Sequence, residues 1–136
     1  MAVVEELIRI EDNGTLSFGN YKLDEKSKKS DFEFKGDLYK VKTCKDITKL
    51  ERNGSFVYES VPGTAVNNFK MENDGVHFDV EAATDSQITV ELEEGTEYVM
   101  YIDGVNAGSM NTNLGGKLSL SVPASSGVTS VKIVKE

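Results

Sequence analysis

His77 is the only histidine in the chain, and its neighbours could support metal or acid–base chemistry. Asp79 and Glu81 follow it at alternate positions, so in a strand the three side chains point to the same side. An imidazole beside two carboxylates can bind a metal ion or transfer a proton. Because there is no second histidine and Cys44 is distant in the sequence, we interpret His77 as an exposed polar strand residue and predict no metal and no cofactor.

Nucleophilic catalysis would depend on the same imidazole. Cys44, the only cysteine, and the serines each need a general base, and His77 is the only histidine that could provide it. A Cys–His pair or a Ser–His–acid triad is therefore a disfavoured alternative, and we predict no catalytic residues. A single cysteine also excludes an intrachain disulfide.

Paired carboxylates are another route to catalysis, since glycosidases need two of them across a cleft. Adjacent residues of a strand point to opposite faces, and the adjacent acidic pairs lie in turn-like or surface contexts, so we interpret them as solvated charge. These pairs are Glu5-Glu6, Asp24-Glu25 and Glu93-Glu94. Loops at Asp12-Asn13 and Asn73-Asp74 offer oxygen ligands for Ca²⁺, but turn geometry accounts for the same residues.

The segment Asn113-Leu114-Gly115-Gly116-Lys117 contains part of a phosphate-binding loop. The full motif needs an earlier glycine, where Asn111 stands, and a Ser or Thr after the lysine, where Leu118 stands. The segment also leads into a strand pattern rather than a helix. We therefore predict a β turn here.

The strand pattern that must position these residues is clearest in the second half of the chain. Apolar residues alternate with polar ones, and turn residues follow, with a repeat of about ten residues. This period of two predicts strands with one buried and one exposed face. The predicted inward residues are Val76, Phe78 and Val80; Ile88, Val90 and Leu92; Tyr98, Met100 and Ile102; Leu118, Leu120 and Val122; and Val131 and Ile133.

Turn-forming pairs separate the strands along the whole chain, because Gly, Asn and Asp tolerate the positive φ that hairpin turns need. The predicted hairpin turns are Asn13-Gly14, Gly36-Asp37, Asn53-Gly54, Asp74-Gly75 and Asp103-Gly104. The segment Val61-Pro62-Gly63-Thr64 predicts a type II turn. The polar stretch Asp24–Asp31 lacks an apolar stripe, and we predict a loop or one short turn there.

The composition fits a soluble protein with one domain. The chain has 136 residues, 38% hydrophobic content and a net charge of −8. An acidic surface disfavours nucleic acid and anionic membranes as partners, and acidic residues flank Lys26, Lys28 and Lys29. No stretch has the ~20 apolar residues of a membrane span. Since the amino terminus lacks the features of a signal peptide, we expect a cytoplasmic protein, with unconventional export left open.

These patterns predict an all-β protein, an antiparallel, jelly-roll-like β-sandwich of roughly ten to twelve short strands. Residues 1–70 would form an N-terminal region of β-hairpins, and residues 71–136 a more regular, sandwich-like region. No long linker separates the two regions, so we expect them to pack as one compact unit, either a single domain or two packed β subdomains that share a core.

Two sets of side chains are candidates for binding. The strand Tyr98–Ile102 is apolar on both faces, which is typical of a doubly covered strand or of an interface. We therefore name Val99 and Tyr101 as candidate contacts in a homo-oligomer. A sugar-binding surface would need exposed aromatic rings, and the chain has no Trp. The tyrosines that could be exposed for this purpose are Tyr21, Tyr39 and Tyr58.

Four stretches resemble a family of small, acidic, leaderless proteins from clostridial-type bacteria. They are Leu16–Tyr21, Gly36–Thr43, Phe56–Thr64 and Thr112–Ser119, and the resemblance runs along most of the chain. Members of this family often carry the name endosialidase. The resemblance implies an all-β fold, a bacterial cytoplasmic setting and cleavage of polysialic acid, and it assigns no catalytic residue.

On the residues themselves, we predict a non-catalytic structural or interaction module that self-associates through an exposed strand edge or an apolar face. A carbohydrate-binding module is the first alternative. A glycan hydrolase of the endosialidase type, acting through a carboxylate pair, is the second.

Overall fold

The computed structural model describes residues 3–123 and 127–136. Within these residues the chain forms thirteen β-strands. This part of the chain contains no helix that is long and apolar enough to cross a membrane. The strands are β1 (Ile8–Ile10), β2 (Leu16–Phe18), β3 (Ser27–Phe34), β4 (Asp37–Thr43), β5 (Thr48–Arg52), β6 (Ser55–Val61), β7 (Ala65–Glu72), β8 (Gly75–Glu81), β9 (Ser86–Glu91), β10 (Glu97–Ile102), β11 (Val105–Asn111), β12 (Lys117–Val122) and β13 (Thr129–Lys135).

Two antiparallel sheets pack together as a β-sandwich, which confirms the predicted fold class. The large sheet has the strand order β1-β2-β7-β8-β13-β10-β11, and the small sheet has the order β12-β9-β6-β5-β4-β3. The thirteen strands exceed the ten to twelve that the sequence predicted. Both sheets combine strands from residues 1–70 and 71–136, and β7 runs across that boundary, so the two regions share one main core.

The core lies between the sheets and uses the alternation read from the sequence. All the predicted inward residues are buried except Leu92 and Ile102, which are partly buried and pack against the core. Aromatic rings join the two sheets: the Tyr58 ring of the small sheet lies 5.3 Å from Phe18 and 5.6 Å from Phe78 of the large sheet. Both contacts are edge-to-face, an arrangement that adds about 0.5–1.5 kcal/mol to the burial of each pair.

Two-residue turns connect several hairpins as expected. Both residues of Asn53-Gly54 and of Asp103-Gly104 have positive φ, which confirms these two predicted turns. The prediction at Gly36-Asp37 is wrong by one residue: the turn is Lys35-Gly36, with φ of 52° and 86°, and β4 begins at Asp37. In all three turns the glycine is therefore the second turn residue.

The predicted type II turn at Val61-Pro62-Gly63-Thr64 is wrong. Such a turn requires positive φ at its third residue, and Gly63 is not among the residues with positive φ; the Val61–Pro62 peptide bond is cis. A glycine is required at position 63 because the neighbouring backbone leaves no space for a side chain. A Cβ atom at this position would lie 1.9 Å from the backbone oxygen of Cys44.

The polar stretch predicted as a loop, Asp24–Asp31, is another correction, because its second half belongs to β3. This strand is at an edge of the small sheet, and most of its side chains are exposed on both faces. Residues 27–31 therefore show no apolar alternation, whereas Phe32 and Phe34 at the end of the strand are partly buried against the core. Backbone pairing with β4, from Ser27 opposite Thr43 to Phe34 opposite Asp37, holds it in place.

A buried hydroxyl network ties β5 and β6 to the segment before β7. The Thr64 hydroxyl lies 2.8 Å from the Tyr58 hydroxyl and 2.9 Å from Ser60 Oγ. The Thr64 backbone N–H donates to Thr48 Oγ1 at 3.0 Å. All four residues are fully buried. Burial raises the pKa of Tyr58, because its anion would lose contact with water.

We expect Tyr58 to make the protein less stable in alkali. An unfolded tyrosine ionises near pH ~10, whereas the folded Tyr58 retains its proton to higher pH. Above about pH 10 the unfolded state therefore binds fewer protons than the folded state, and stability falls as pH rises. Between about pH 9 and pH 11, the free energy of unfolding in urea should fall less for Tyr58→Phe than for the wild type. Equal falls would contradict this role of Tyr58.

Candidate functional site: the β12 edge

Sheet edges are where an open β-sandwich can recruit another strand, because their outer backbone groups have no partner in the sheet. The large sheet ends in β1 and β11, and the small sheet ends in β3 and β12. β1 has only three residues. β3 carries charged residues and a register shift against β4. Shortness, charge and bulges all oppose edge-to-edge pairing, so β1 and β3 are protected edges.

β11 is uncharged and exposed at all seven positions, yet its edge is irregular. Its register with β10 shifts between Met100 and Tyr101. The Asn106 side-chain oxygen accepts a hydrogen bond from the Gly108 backbone N–H at 2.8 Å. A β-bulge bends a strand, and the Asn106 contact occupies a backbone donor. β11 is therefore a poor template for a further strand.

β12 has only one of these protections: at its first residue, the Lys117 backbone N–H donates to the Asn113 side-chain oxygen. It pairs with β9 over six consecutive residues, from Lys117 to Val122, with no register shift. Lys117 is its only charged residue, and it has no proline. Its inward side chains, all buried, are Leu118, Leu120 and Val122. Among the described edges, β12 is thus the regular, nearly uncharged one.

The outer face of β12 is polar and ordered. Ser119 and Ser121 are exposed. The Ser119 hydroxyl lies 2.8 Å from Thr89 Oγ1, and the Ser121 hydroxyl donates to Gln87 Oε1 at 2.8 Å. These cross-strand contacts connect the outer face of β12 to that of β9. On its other side, β12 has no neighbouring strand in the small sheet.

Charge is distributed unevenly over the molecule. Lys117 is the only charged residue between Gly104 and Val131, in a chain of which 28% is charged. This stretch supplies β11 and β12 and the beginning of β13. Because β1 lies against β3, β11 and β12 share the opposite side of the sandwich. We call this side the neutral side (β11 and β12). It was not recognised from the sequence, although the scarcity of charged residues between Gly104 and Val131 is visible there.

Val99 and Tyr101, the predicted interface residues, lie on the outer face of β10 and are half-buried. Val99 is opposite Val134 of β13, and Tyr101 is opposite Lys132. The apolar part of this face is therefore a small valine pair beside one tyrosine, next to an exposed lysine. The two residues stay candidate contacts, with less support than β12.

The three candidate sugar-binding tyrosines do not form one exposed row. Tyr58 is fully buried and Tyr39 is only 6% exposed, so the exposure considered for both is wrong. Tyr21 is partly exposed and donates a hydrogen bond to Glu81 Oε1 at 3.0 Å. Tyr39 packs edge-to-face on Phe34 at 5.9 Å between ring centroids. Alternation of Tyr39 and Val41 with Lys40 and Lys42 in β4 was a sequence signal for the burial of Tyr39.

The residues considered for nucleophilic or metal chemistry lie in different settings. His77 is exposed, as predicted, with Nε2 3.4 Å from Ser130 Oγ. Cys44 is a buried free thiol. Across residues 3–123 and 127–136, no group of three or more His, Cys, Asp or Glu side chains could hold a metal ion.

The phosphate-loop-like segment is a turn between β11 and β12, as predicted. The Asn113 side-chain oxygen accepts hydrogen bonds from the backbone N–H groups of Gly115 at 2.8 Å and Lys117 at 3.0 Å. The backbone donors that would hold a phosphate are thus used within the turn.

Comparison of the chain with protein-family models, curated proteins and solved structures gives no match. The resemblance to the endosialidase-named family stays a prediction from the sequence. Function therefore has to be argued from the surface of the molecule.

Proposed function

We propose that this chain is a non-catalytic structural or interaction module that assembles with copies of itself by edge-to-edge pairing of β12. The observation that carries the proposal is the contrast between β12, which is regular and nearly uncharged, and the three protected edges. Two copies related by a two-fold axis would pair their β12 strands antiparallel and continue the small sheet across both subunits.

The sequence of β12 suits pairing with itself. Antiparallel registers that keep the inward and outward sets on their own faces are the favourable ones. With Leu120 opposite Leu120 of the second copy, Ser119 is opposite Ser121 and Lys117 is opposite Pro123. Leucines then continue the core while serines continue the outer face, and the two lysines do not meet.

Electrostatics also favours this side of the molecule. A net charge of −8 makes most approaches between two copies repulsive. Repulsion between exposed charges decays over about 8–10 Å at physiological salt. The neutral side carries little charge near β12, so two copies meet there with the least repulsion.

The double variant Ser119→Lys/Ser121→Lys should weaken assembly. In the proposed pair each new lysine lies opposite a lysine of the second copy, and like charges directly opposite on a sheet are destabilising. We expect the dissociation constant to rise at least about tenfold. Sedimentation equilibrium of wild type and variant measures this change, and far-UV circular dichroism checks that the exposed substitutions leave the fold intact.

Two matched variants locate the interface. Ser109→Lys/Asn111→Lys adds the same charge to the exposed positions of β11 and should leave the dissociation constant nearly unchanged. Tyr101→Asp tests the outer face of β10. If Tyr101→Asp dissociates the assembly while the β12 variant keeps it, the interface is that face and the assignment to β12 is wrong.

A further inference from the structure

A cleft opens between the two sheets at the end of the sandwich that holds the β3–β4 turn. Lys35 and Asp37 border it from that turn, Arg52 from the end of β5, and Phe69 and Lys70 from β7 of the facing sheet. Its volume is about 130 Å³. This is room for a small organic molecule, and the site lies on different strands from the neutral side.

The cleft is cationic in an acidic protein. Lys35 and Arg52 line it, against the single carboxylate of Asp37. Lys70 is opposite the exposed His77, so its side chain lies on the outer face of the large sheet and adds no charge to the cleft. Asp37 already accepts a hydrogen bond from Asn53 Nδ2 at 2.9 Å. Neither Lys35 nor Arg52 forms a salt bridge within the described part of the chain. A local excess of positive charge, where the whole chain carries −8, favours an anion.

Arg52 has hydrogen-bonding capacity to spare. Its Nη1 lies 3.9 Å from Met71 Sδ across the cleft, and a thioether is a weak acceptor. Burial raises the pKa of Tyr39, and the Arg52 guanidinium beside its hydroxyl acts in the opposite direction. A guanidinium carries five N–H donors in a planar fork that matches a carboxylate. The structure gives this fork no carboxylate partner among the described residues.

The cleft also has an aromatic wall. Phe34 is half-buried and packs on Tyr39. The Lys35 ammonium lies 5.2 Å from the centroid of the Phe34 ring. A flat apolar group bound here would therefore pack on Phe34 while an attached anion faces the cations.

The charges on the two sides of Arg52 favour binding of an anion on the side that Lys35 borders. Beyond the Arg52–Met71 contact a second cleft, of about 310 Å³, is lined by Glu72, Glu91 and Glu93. Three carboxylates would repel an anion there, and Lys135 pairs with Glu93 at 2.9 Å. The side of Arg52 that Lys35 borders is the favourable one.

We propose that the cleft of Lys35 and Arg52 binds a small aromatic carboxylate, with the Arg52 guanidinium on the carboxylate and the Phe34 ring against the apolar part. This assignment does not depend on pairing through β12, because none of the cleft residues belongs to that strand.

Benzoate is the probe that tests the proposal, titrated into ¹⁵N-labelled protein at constant ionic strength with chloride. We expect saturable shifts of backbone signals around Arg52 and Lys70. Arg52→Gln should raise the dissociation constant at least about tenfold, since a charge-assisted, two-point contact is lost. Lys132→Gln removes the same charge from the outer face of the large sheet and should leave the dissociation constant unchanged.

Several results would overturn the assignment. These are the absence of saturable shifts in the wild type, and equal affinity of wild type and Arg52→Gln. If Arg52→Gln does not fold, Lys35→Gln decides: a several-fold loss of affinity supports the site, and unchanged affinity overturns it. Inorganic phosphate or acetate binding as tightly as benzoate would contradict the aromatic specificity.

Discussion

Replacing Phe78 by alanine should lower the free energy of unfolding by about 3–5 kcal/mol. Phe78 is fully buried in β8, the middle strand of the large sheet. Its ring lies 5.6 Å from Tyr58 of the small sheet and 5.7 Å from Phe69. Removing the ring leaves a cavity between two sheets, whose backbones are held by their own pairing and cannot close it. Urea unfolding followed by circular dichroism measures the loss.

His77→Ala is the matched control, because His77 is the preceding residue of β8 and is exposed on the opposite face. Surface substitutions of this kind change stability by about 0.5 kcal/mol or less. If Phe78→Ala costs no more than His77→Ala, the inner face of β8 is misassigned. That result would undermine the placement of the core.

Gly75→Ala is expected to cost roughly 3 kcal/mol or more. Gly75 opens β8 with φ of 153°, and a Cβ atom there would lie 1.8 Å from the backbone oxygen of Ile133. That oxygen belongs to β13, which pairs with β8 from Gly75 to Val80. The alanine can be accommodated only if the two central strands separate locally. Thermal and urea unfolding both report the loss.

Gly54→Ala separates the effect of φ from that of close packing. Gly54 also has positive φ, at 82°, but no heavy atom lies within 4 Å of the position a Cβ would take. Its cost should be that of the left-handed conformation alone, about 1–2 kcal/mol. Equal losses for Gly54→Ala and Gly75→Ala would show that β8 and β13 do not approach as closely as the structure has them.

Much of the fold was predictable because burial follows a period of two wherever a strand has one covered face. The residues Val76, Phe78 and Val80 in β8 show this pattern, and the turns at Asn53-Gly54 and Asp103-Gly104 follow from residue type alone. Residues 27–31 of β3 were missed for the same reason. They belong to an edge strand and are mostly exposed on both faces, and their pairing with β4 leaves no apolar signal in their own sequence.

The candidate sites depend on long-range pairing, which a single sequence does not reveal. β12 is an edge only because the chain crosses from it to the large sheet, where β13 inserts between β8 and β10. The charge-poor stretch from Gly104 to Val131 could be noticed, but not that its strands meet at one side. Likewise, Arg52 and Met71 are distant in sequence and line one cleft because the two sheets face each other.

Self-assembly is tested most directly by the absolute mass of the wild type, from size exclusion with light scattering over a range of concentrations. Pairing through β12 predicts a defined particle of twice the 14.9 kDa chain that persists on dilution. It also predicts a shift to 14.9 kDa in the Ser119→Lys/Ser121→Lys variant but not in the Ser109→Lys/Asn111→Lys variant. A wild-type mass of 14.9 kDa at every concentration would contradict the proposed function.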